Sequence, residues 1–235
     1  MKSLWPFLPL DPPRSVAEIP RKLRLFRDES LEVYYAPFDY RTPDPRVILV
    51  GLTPGWYQAS MAYRTFAEAR AKGRAMATAL RLAKGAAPFS GPIRANLCNM
   101  LDEVGLATAL NISSARDLFG HAASLVHVTA ALRYPVFRLG RNYSGAPSLV
   151  RHPYLRQMVE TLLAEELQGA PHAVIMPLGV GAESAVAHLV DRGLVDSSRV
   201  ITALPHPSGA NAHRFAQLRA RRLTVRRQLC ARFRT

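Results

Sequence analysis

A histidine stands between two prolines near the end of the chain, in the stretch ALPHPSGANAHRF at 203–215. Proline fixes its own φ and restricts the residue before it, so Pro205 and Pro207 hold the backbone of His206 in one extended geometry. A backbone held on both sides indicates an imidazole ring that is aimed at a target. The alternative is a proline-rich surface turn that carries an ordinary histidine.

The charge balance points to a polyanionic partner. The 235 residues include 31 basic and 17 acidic side chains, for a net charge of +14, and 27 of the basic residues are arginine. Arginine's flat fork suits phosphates and base edges. A GC-rich genome would explain the excess of arginine over lysine, but it does not explain the net charge. Nucleic acid is therefore the expected partner.

Cysteine content and hydropathy exclude several classes of protein. Two cysteines, Cys98 and Cys230, cannot ligate an iron–sulfur cluster, build a four-cysteine zinc site or supply a disulfide framework. The apolar run at 1–15 is broken by prolines, is too short for a membrane span and is weak as a signal peptide. We expect a cytoplasmic protein of one sizeable core or at most two small domains.

Apolar runs alternate with amphipathic stretches along most of the chain, which predicts a parallel sheet covered on both faces. The expected fold is a three-layer α/β/α sandwich with a central, mainly parallel four-stranded sheet. A short basic helix at 20–30 and an edge strand at 31–38 are expected before it. The predicted strands of the central sheet are 47–51, 123–132, 172–179 and 199–205, and the predicted helices are 61–85, 90–106, 152–170, 180–193 and 214–234.

Ligands of such sheets bind at the carboxyl ends of the strands. The segments that follow the predicted strands are 51–58, 129–135, 179–184 and 205–214, and two of them are rigid with proline and glycine. This favours one preformed site.

Four motifs in these segments resemble the uracil-DNA glycosylase superfamily. The first is Gly51-Leu52-Thr53-Pro54-Gly55, and the last is His206-Pro207-Ser208-Gly209-Ala210-Asn211. Between them stand PFSGPIRANLCNMLDEVGL at 88–106 and HVTAALRYP at 127–135. The resemblance implies a glycosylase-like domain at 47–235, with an N-terminal extension at 1–46, an inserted helical segment at 56–87 and a basic C-terminal helix at 214–234.

The resemblance also implies an activity and a set of site residues. The enzyme would be a monofunctional DNA glycosylase, needing no metal or organic cofactor, that flips a base out of the DNA and cleaves its glycosidic bond. His206 would stabilise the charge on the departing base, Thr53 would orient water, and Phe89 would stack on the base. Further base contacts are expected from Gly51, Leu52, Tyr57 and Ala130, and DNA contacts from Pro54, Pro207, Ser208, Gly209, Ala210, Asn211, His213 and Arg214.

Three departures from the family pattern bear on the substrate. Threonine replaces the carboxylate or amide usual at position 53, and it can orient water but cannot act as a base at neutral pH. Ala130 replaces the asparagine that reads the uracil edge, which costs discrimination and leaves space. The insertion at 56–87 adds either a wall for a bulkier base, a DNA clamp, or only a helical excursion packed on the sheet.

Uracil is the default substrate, and a bulkier modified cytosine, including one from phage DNA, is the alternative; the role would then be antiviral defence rather than repair. A catalytically weak or silent binder of damaged or abasic DNA, single- or double-stranded, is the rival function. A nucleotide-binding enzyme is disfavoured because no glycine-rich phosphate loop follows the first strand. The arginines of 214–234 are expected on the DNA backbone, with a solvated face as the alternative.

Overall fold

The computed structural model describes residues 4–202, 204–209 and 211–233. The described chain divides into two compact units. The first takes the chain up to Tyr40, together with 53–90 and 132–146. The second takes 41–52, 91–131 and the chain from Pro147 onward. None of the described helices is long and apolar enough to cross a membrane.

The first unit is built on an antiparallel sheet. Its strands, in spatial order, are β1 (Arg24–Arg27), β2 (Leu31–Tyr34), β5 (Val136–Arg138) and β6 (Arg141–Asn142). Leu31 and Val33 of β2 are fully buried. The strand predicted at 31–38 is present, but it pairs with β1 on one side and β5 on the other, so the prediction of an edge strand is wrong. β1 directly precedes this strand, but β5 lies about a hundred residues further along the chain, and local alternation cannot reveal such a distant partner.

A strand replaces the basic helix expected at 20–30. Arg21–Leu23 forms one 3₁₀ turn, and β1 follows it directly. The helical prediction is wrong because hydrogen bonds to β2 across a short turn satisfy this backbone. The inserted segment forms two helices, α1 (Trp56–Ala71) and α2 (Met76–Ala86), which confirms the helices predicted there.

The second unit contains a parallel sheet of three strands, in the order β4 (Val126–Ala130), β3 (Val47–Gly51) and β7 (Val174–Pro177). All five residues of β3 are buried, as expected for a central strand with both faces covered. The helices of this unit are α3 (Pro92–Glu103), α4 (Leu106–Leu110), α5 (Pro153–Met158), α6 (Ala164–Gln168), α7 (Val180–Asp191) and α8 (Arg214–Phe233). A π-helical segment, Val159–Leu163, joins α5 to α6.

The prediction of a four-stranded central sheet is wrong for its fourth strand. The stretch 199–205 makes only two parallel bridges beside β7, from Val200 to Ile175 and from Leu204 to Leu178. Pro205 has no N–H to extend this pairing, and the chain turns away into the proline-bracketed histidine. The fold is therefore mixed α/β, with three parallel strands in one unit and an antiparallel sheet in the other.

Candidate functional site

The predicted site residues fall in both units, and each unit supplies a separate set of contacts. In the second unit the central element is the closing loop, which we define as the described part of 204–214. It begins at the bridge between Leu204 and Leu178, beside the carboxyl end of β7. It ends where α8 begins at Arg214.

The protonation state of His206 follows from its surroundings. The backbone N–H of Ser208 donates to the ring Nδ1 at 3.2 Å. Burial lowers the pKa of His206 from its ordinary value, because the charged imidazolium loses solvation. The ring is therefore neutral near pH 7, with Nδ1 as acceptor and the proton on Nε2. Among the described residues Nε2 has no hydrogen-bond partner, so its N–H is available as a donor.

Gly179 places the start of the closing loop. Its N–H donates to the carbonyl of Leu204 at 2.8 Å, and its φ is +85°. A Cβ atom at this position would lie 2.8 Å from the Cβ of His206. Only glycine allows this approach and this φ without strain. Sequence reasoning missed Gly179; the available signal was a glycine directly between a buried strand and a helix.

Two asparagines fix the carbonyls of the closing loop. Asn96 on α3 donates from Nδ2 to the carbonyl of Pro207 at 3.1 Å. Asn211 donates from Nδ2 to the carbonyl of His206 at 3.4 Å and to Oε1 of Gln217 at 3.0 Å. Asn211, predicted to contact DNA, therefore holds the loop itself. Asn96 was missed, although it lies inside the motif at 88–106.

The remaining residues of the closing loop differ in exposure. Pro207 is buried and Ser208 is half-buried, whereas Gly209 and His213 are exposed. Arg214 is half-buried; it donates to the carbonyl of Asn211 at 3.0 Å, and its guanidinium lies 4.9 Å from the ring centre of Phe215. The predicted contact at Ala210 lies outside the described residues.

The carboxyl ends of β3 and β4 bring together three of the predicted base contacts. Gly51 and Ala130 are buried and opposite each other in the parallel register. Leu52 is half-buried and packs on α7, where a Cβ on Gly181 would lie 2.7 Å from its Cδ1. Close beside them, the buried Oγ1 of Thr129 has no hydrogen-bond partner among the described residues. These strand ends therefore place two small residues side by side and leave one buried hydroxyl unpaired among the described residues.

In the first unit the hydroxyl of Thr53 is held by a buried network. Thr53 donates from Oγ1 to the carbonyl of Tyr134 at 3.1 Å. The phenols of Tyr134 and Tyr35 both donate to the carboxylate of Asp39, and Arg133 lies 3.9 Å from it. Burial, and then the charge of Asp39, raises the pKa of both tyrosines, so they remain donors. With its proton engaged, Thr53 can only accept a hydrogen bond from water.

Phe89 has a backbone conformation that bulky residues rarely adopt. Its φ is +50°, and its side chain is half-buried. The neighbouring Ser90 is buried, and its Oγ has no hydrogen-bond partner among the described residues. Strain of this kind persists where the surrounding structure enforces it, and it is concentrated at functional sites. The geometry is compatible with the predicted stacking role.

In the segment after Thr53 the ring of Tyr57 is exposed to solvent, whereas two backbone N–H groups are already hydrogen-bonded. Tyr57 is 54% exposed. The N–H of Gly55 donates to Oε1 of Gln58 at 3.1 Å, and that of Trp56 donates to Oδ1 of Asn142 at 2.8 Å. These two amides are already paired, which leaves Pro54, half-buried, as the predicted DNA contact of this segment.

Most of the positive charge of the C-terminal segment lies in α8. Arg219 and Arg222 approach one carboxylate, Glu103, at 3.9 and 4.0 Å. The helix predicted at 214–234 is confirmed as Arg214–Phe233. Its other exposed arginines are Arg221, Arg226, Arg227 and Arg232. Among the described residues, no group of three or more His, Cys, Asp or Glu side chains could hold a metal ion.

Comparisons with known proteins place these motifs in one family. The family model of the uracil DNA glycosylase superfamily matches residues 38–230. The chain is 34% identical over 209 residues to a Bacillus subtilis (strain 168) protein described as uncharacterized protein YoxB, and the match covers 88% of this chain and 82% of that relative. No solved structure matches significantly. The family match spans both units and includes the first motif and the closing loop, so the chain belongs to the uracil-DNA glycosylase superfamily.

Proposed function

We propose that the protein is a monofunctional DNA glycosylase that hydrolyses the N-glycosidic bond of a flipped, modified pyrimidine. The observation that carries this proposal is the geometry of His206, whose Nδ1 accepts from Ser208 and whose Nε2 has no hydrogen-bond partner among the described residues. Burial lowers the pKa of this ring, which favours the neutral form with the proton on Nε2. Cleavage places negative charge on the departing base, and a donor that is already oriented stabilises that charge without reorganisation.

The chemistry requires one water and no cofactor. The bond between C1′ and the base nitrogen breaks with its electron pair moving to the base, and the water oxygen bonds to C1′. That water releases one proton to solvent, and the departing base anion takes up one proton from solvent, so the released base is neutral. Nε2–H of His206 would donate to the base oxygen as charge develops there. Thr53 would hold the water through the lone pairs of Oγ1, since its proton is engaged by Tyr134. The product would be an abasic site in single- or double-stranded DNA.

We infer the substrate base from the residues at the carboxyl ends of β3 and β4. Uracil is the default of the superfamily. Ala130, opposite Gly51 in the register, supplies no amide to read a uracil edge and has a smaller side chain than asparagine, which favours a bulkier base such as a modified cytosine. If that cytosine belongs to phage DNA, the enzyme would serve antiviral defence in the cytoplasm rather than DNA repair.

A base-release assay tests the proposal. The protein is incubated with uracil-containing duplex and single strands and, separately, with phage DNA that carries modified cytosines; released bases are identified by mass spectrometry. We expect release of one base class, loss of release in His206→Ala, and retention in His213→Ala, an exposed histidine of the same loop. Release that survives His206→Ala would refute the assignment of the donor.

A silent binder of damaged or abasic DNA is the second candidate. The observation that favours it is the hydroxyl of Thr53, which donates to a carbonyl and cannot accept a proton from water at neutral pH. Such a binder would release no base from any of these substrates. It would also hold abasic-site DNA as tightly after His206→Ala as before, whereas an enzyme would lose turnover.

A further inference from the structure

The first unit contains a hollow that the proposed reaction does not use. Its volume is about 410 Å³, within the range of small-ligand sites. Two aromatic residues, one acid and one base line it, namely Trp56, Tyr34, Glu32 and Arg14, and Ser15, Val16, Ala17 and Gly140 complete the lining. Such a combination suits a flat heterocycle that carries an anionic group.

The aromatic wall of this hollow is preformed. Trp56 begins α1, and its backbone N–H is held by Oδ1 of Asn142 at 2.8 Å, which places the half-buried indole. Tyr34 is 6% exposed, and its phenol donates to Oε1 of Glu32 at 3.1 Å. Burial, and next the charge of Glu32, raises the pKa of Tyr34, so the phenol stays protonated. A ligand ring would therefore meet surfaces that need no rearrangement.

Cations outnumber carboxylates around the hollow. Glu32 is compensated by Arg24 at 3.3 Å and by Arg27 at 3.8 Å. The carboxylate of Glu18 accepts the backbone N–H of Arg14 at 2.9 Å. Arg14 lines the hollow and is exposed, and its guanidinium has no partner among the described residues. An anion at the rim would thus meet an uncommitted positive charge.

We propose that this hollow is a nucleotide subsite for a DNA strand, with a base stacked on Trp56 and a phosphate bound by Arg14. The inference rests on the proposed function in taking DNA as the partner. Stacking on an aromatic ring accepts any base, so the subsite would bind without sequence preference. None of the residues that line the hollow is among those assigned to the cleaved base, so the subsite would hold a different nucleotide.

Fluorescence titration tests the subsite apart from catalysis. The chain has two tryptophans, Trp5 and Trp56, so Trp5→Phe leaves the indole of interest alone. The probe is a six-residue thymidine oligonucleotide, which holds no uracil or modified cytosine. We expect saturable quenching of Trp56, and we expect Arg14→Gln and Trp56→Leu each to weaken oligonucleotide affinity about tenfold. Arg64→Gln, an exposed arginine of α1, is the charge-matched control and should change affinity less than twofold.

Two outcomes would overturn the subsite: no quenching at saturating oligonucleotide, or equal affinity in Arg14→Gln and Arg64→Gln. Because Trp56 begins a helix, its substitution can disturb the structure. Arg14→Gln lies on a separate segment, so its affinity alone is used to judge the subsite. Base release from uracil-containing DNA and from phage DNA with modified cytosines is measured in parallel with the same protein variants. If Arg14→Gln weakens oligonucleotide binding but neither the parent nor any variant releases a base, the subsite is retained and the glycosylase is refuted. If bases are released but Arg14→Gln does not weaken binding, the glycosylase is retained and the subsite is refuted.

Discussion

Gly179 and His206 are packed so closely that a Cβ atom on the glycine would lie 2.8 Å from the Cβ of the histidine. The glycine N–H donates to the carbonyl of Leu204, two residues before the histidine. The residue that follows the end of β7 therefore fixes the position of the closing loop and of His206. Any side chain at position 179 must displace the ring or the strand end.

We expect Gly179→Ala to reduce base release at least tenfold, because His206 must shift to admit the methyl group. The backbone of Gly179, with φ 85° and ψ 165°, lies in a region that essentially only glycine adopts, which adds about 1–3 kcal/mol of strain. Gly193→Ala is the matched control: it lies just beyond the other end of α7, has a φ of +68° and has nothing within 4 Å of its Cβ position. It should lose only about 1–2 kcal/mol of stability in urea melts, from its φ alone, and keep its activity. Equal activity in the two variants would contradict the packing argument.

The pH dependence of the protein should reflect the lowered pKa of His206. The folded state binds fewer protons at this ring than the unfolded state, whose histidine has a pKa of about 6.5. Stability from this group is therefore complete above about pH 6.5 and decreases as pH falls toward the folded pKa. Urea midpoints measured between about pH 5 and pH 8 should show this slope, and His206→Gln should flatten it.

On the acid side of the pH–rate profile, the rate of base release should also begin to fall only below about pH 6.5. Protonation of Nδ1 removes the acceptor for the Ser208 N–H and releases the ring from its orientation. A rate that begins to fall at or above that pH would mean that burial does not keep this ring neutral.

Thr53 should contribute through its hydroxyl. We expect Thr53→Val, which keeps the shape and removes the oxygen, to lower kcat at least tenfold, and Thr53→Ser to stay within a few fold of the parent. Single-turnover base release at saturating DNA measures the step directly. Full activity in Thr53→Val would show that water is held elsewhere.

The network behind Thr53 should affect the same step. Tyr134→Phe and Tyr35→Phe each remove one phenol from Asp39, and each should cost about 1–3 kcal/mol of stability. The phenol of Tyr134 anchors the residue whose backbone carbonyl orients Thr53. The Tyr134→Phe variant keeps that carbonyl but loses the anchor, so only this variant should lower kcat while leaving KM unchanged. If both variants lowered kcat equally, the network would be structural alone.

The arginines of α8 should set the salt dependence of DNA binding. Arg221→Gln together with Arg227→Gln removes two exposed charges that approach no carboxylate among the described residues. If each contacts a phosphate, the slope of log K against log salt should fall by about 0.9 per contact. Arg219→Gln with Arg222→Gln is the control, since Glu103 lies near both side chains. An unchanged slope in the first pair would assign α8 to a solvated face.

Local patterns in the sequence determined a large part of this protein. The continuous apolar run at 47–51 predicts a buried parallel strand because both its faces must be covered, and β3 has that burial. Helical periodicity likewise predicts α3 and α7, and the prolines around His206 predict a rigid turn. Four motifs in order were enough to identify the superfamily, which the match over 38–230 shows.

Only the tertiary structure decided the features that depend on residues distant in sequence. β2 pairs with β5 across about a hundred residues, so no local window could show that 31–34 is an interior strand. The burial of His206, the close approach of Gly179 to it and the link from Thr53 through Tyr134 to Asp39 also depend on contacts between separate segments. Burial and hydrogen bonding set these properties, and both arise only when the chain has packed.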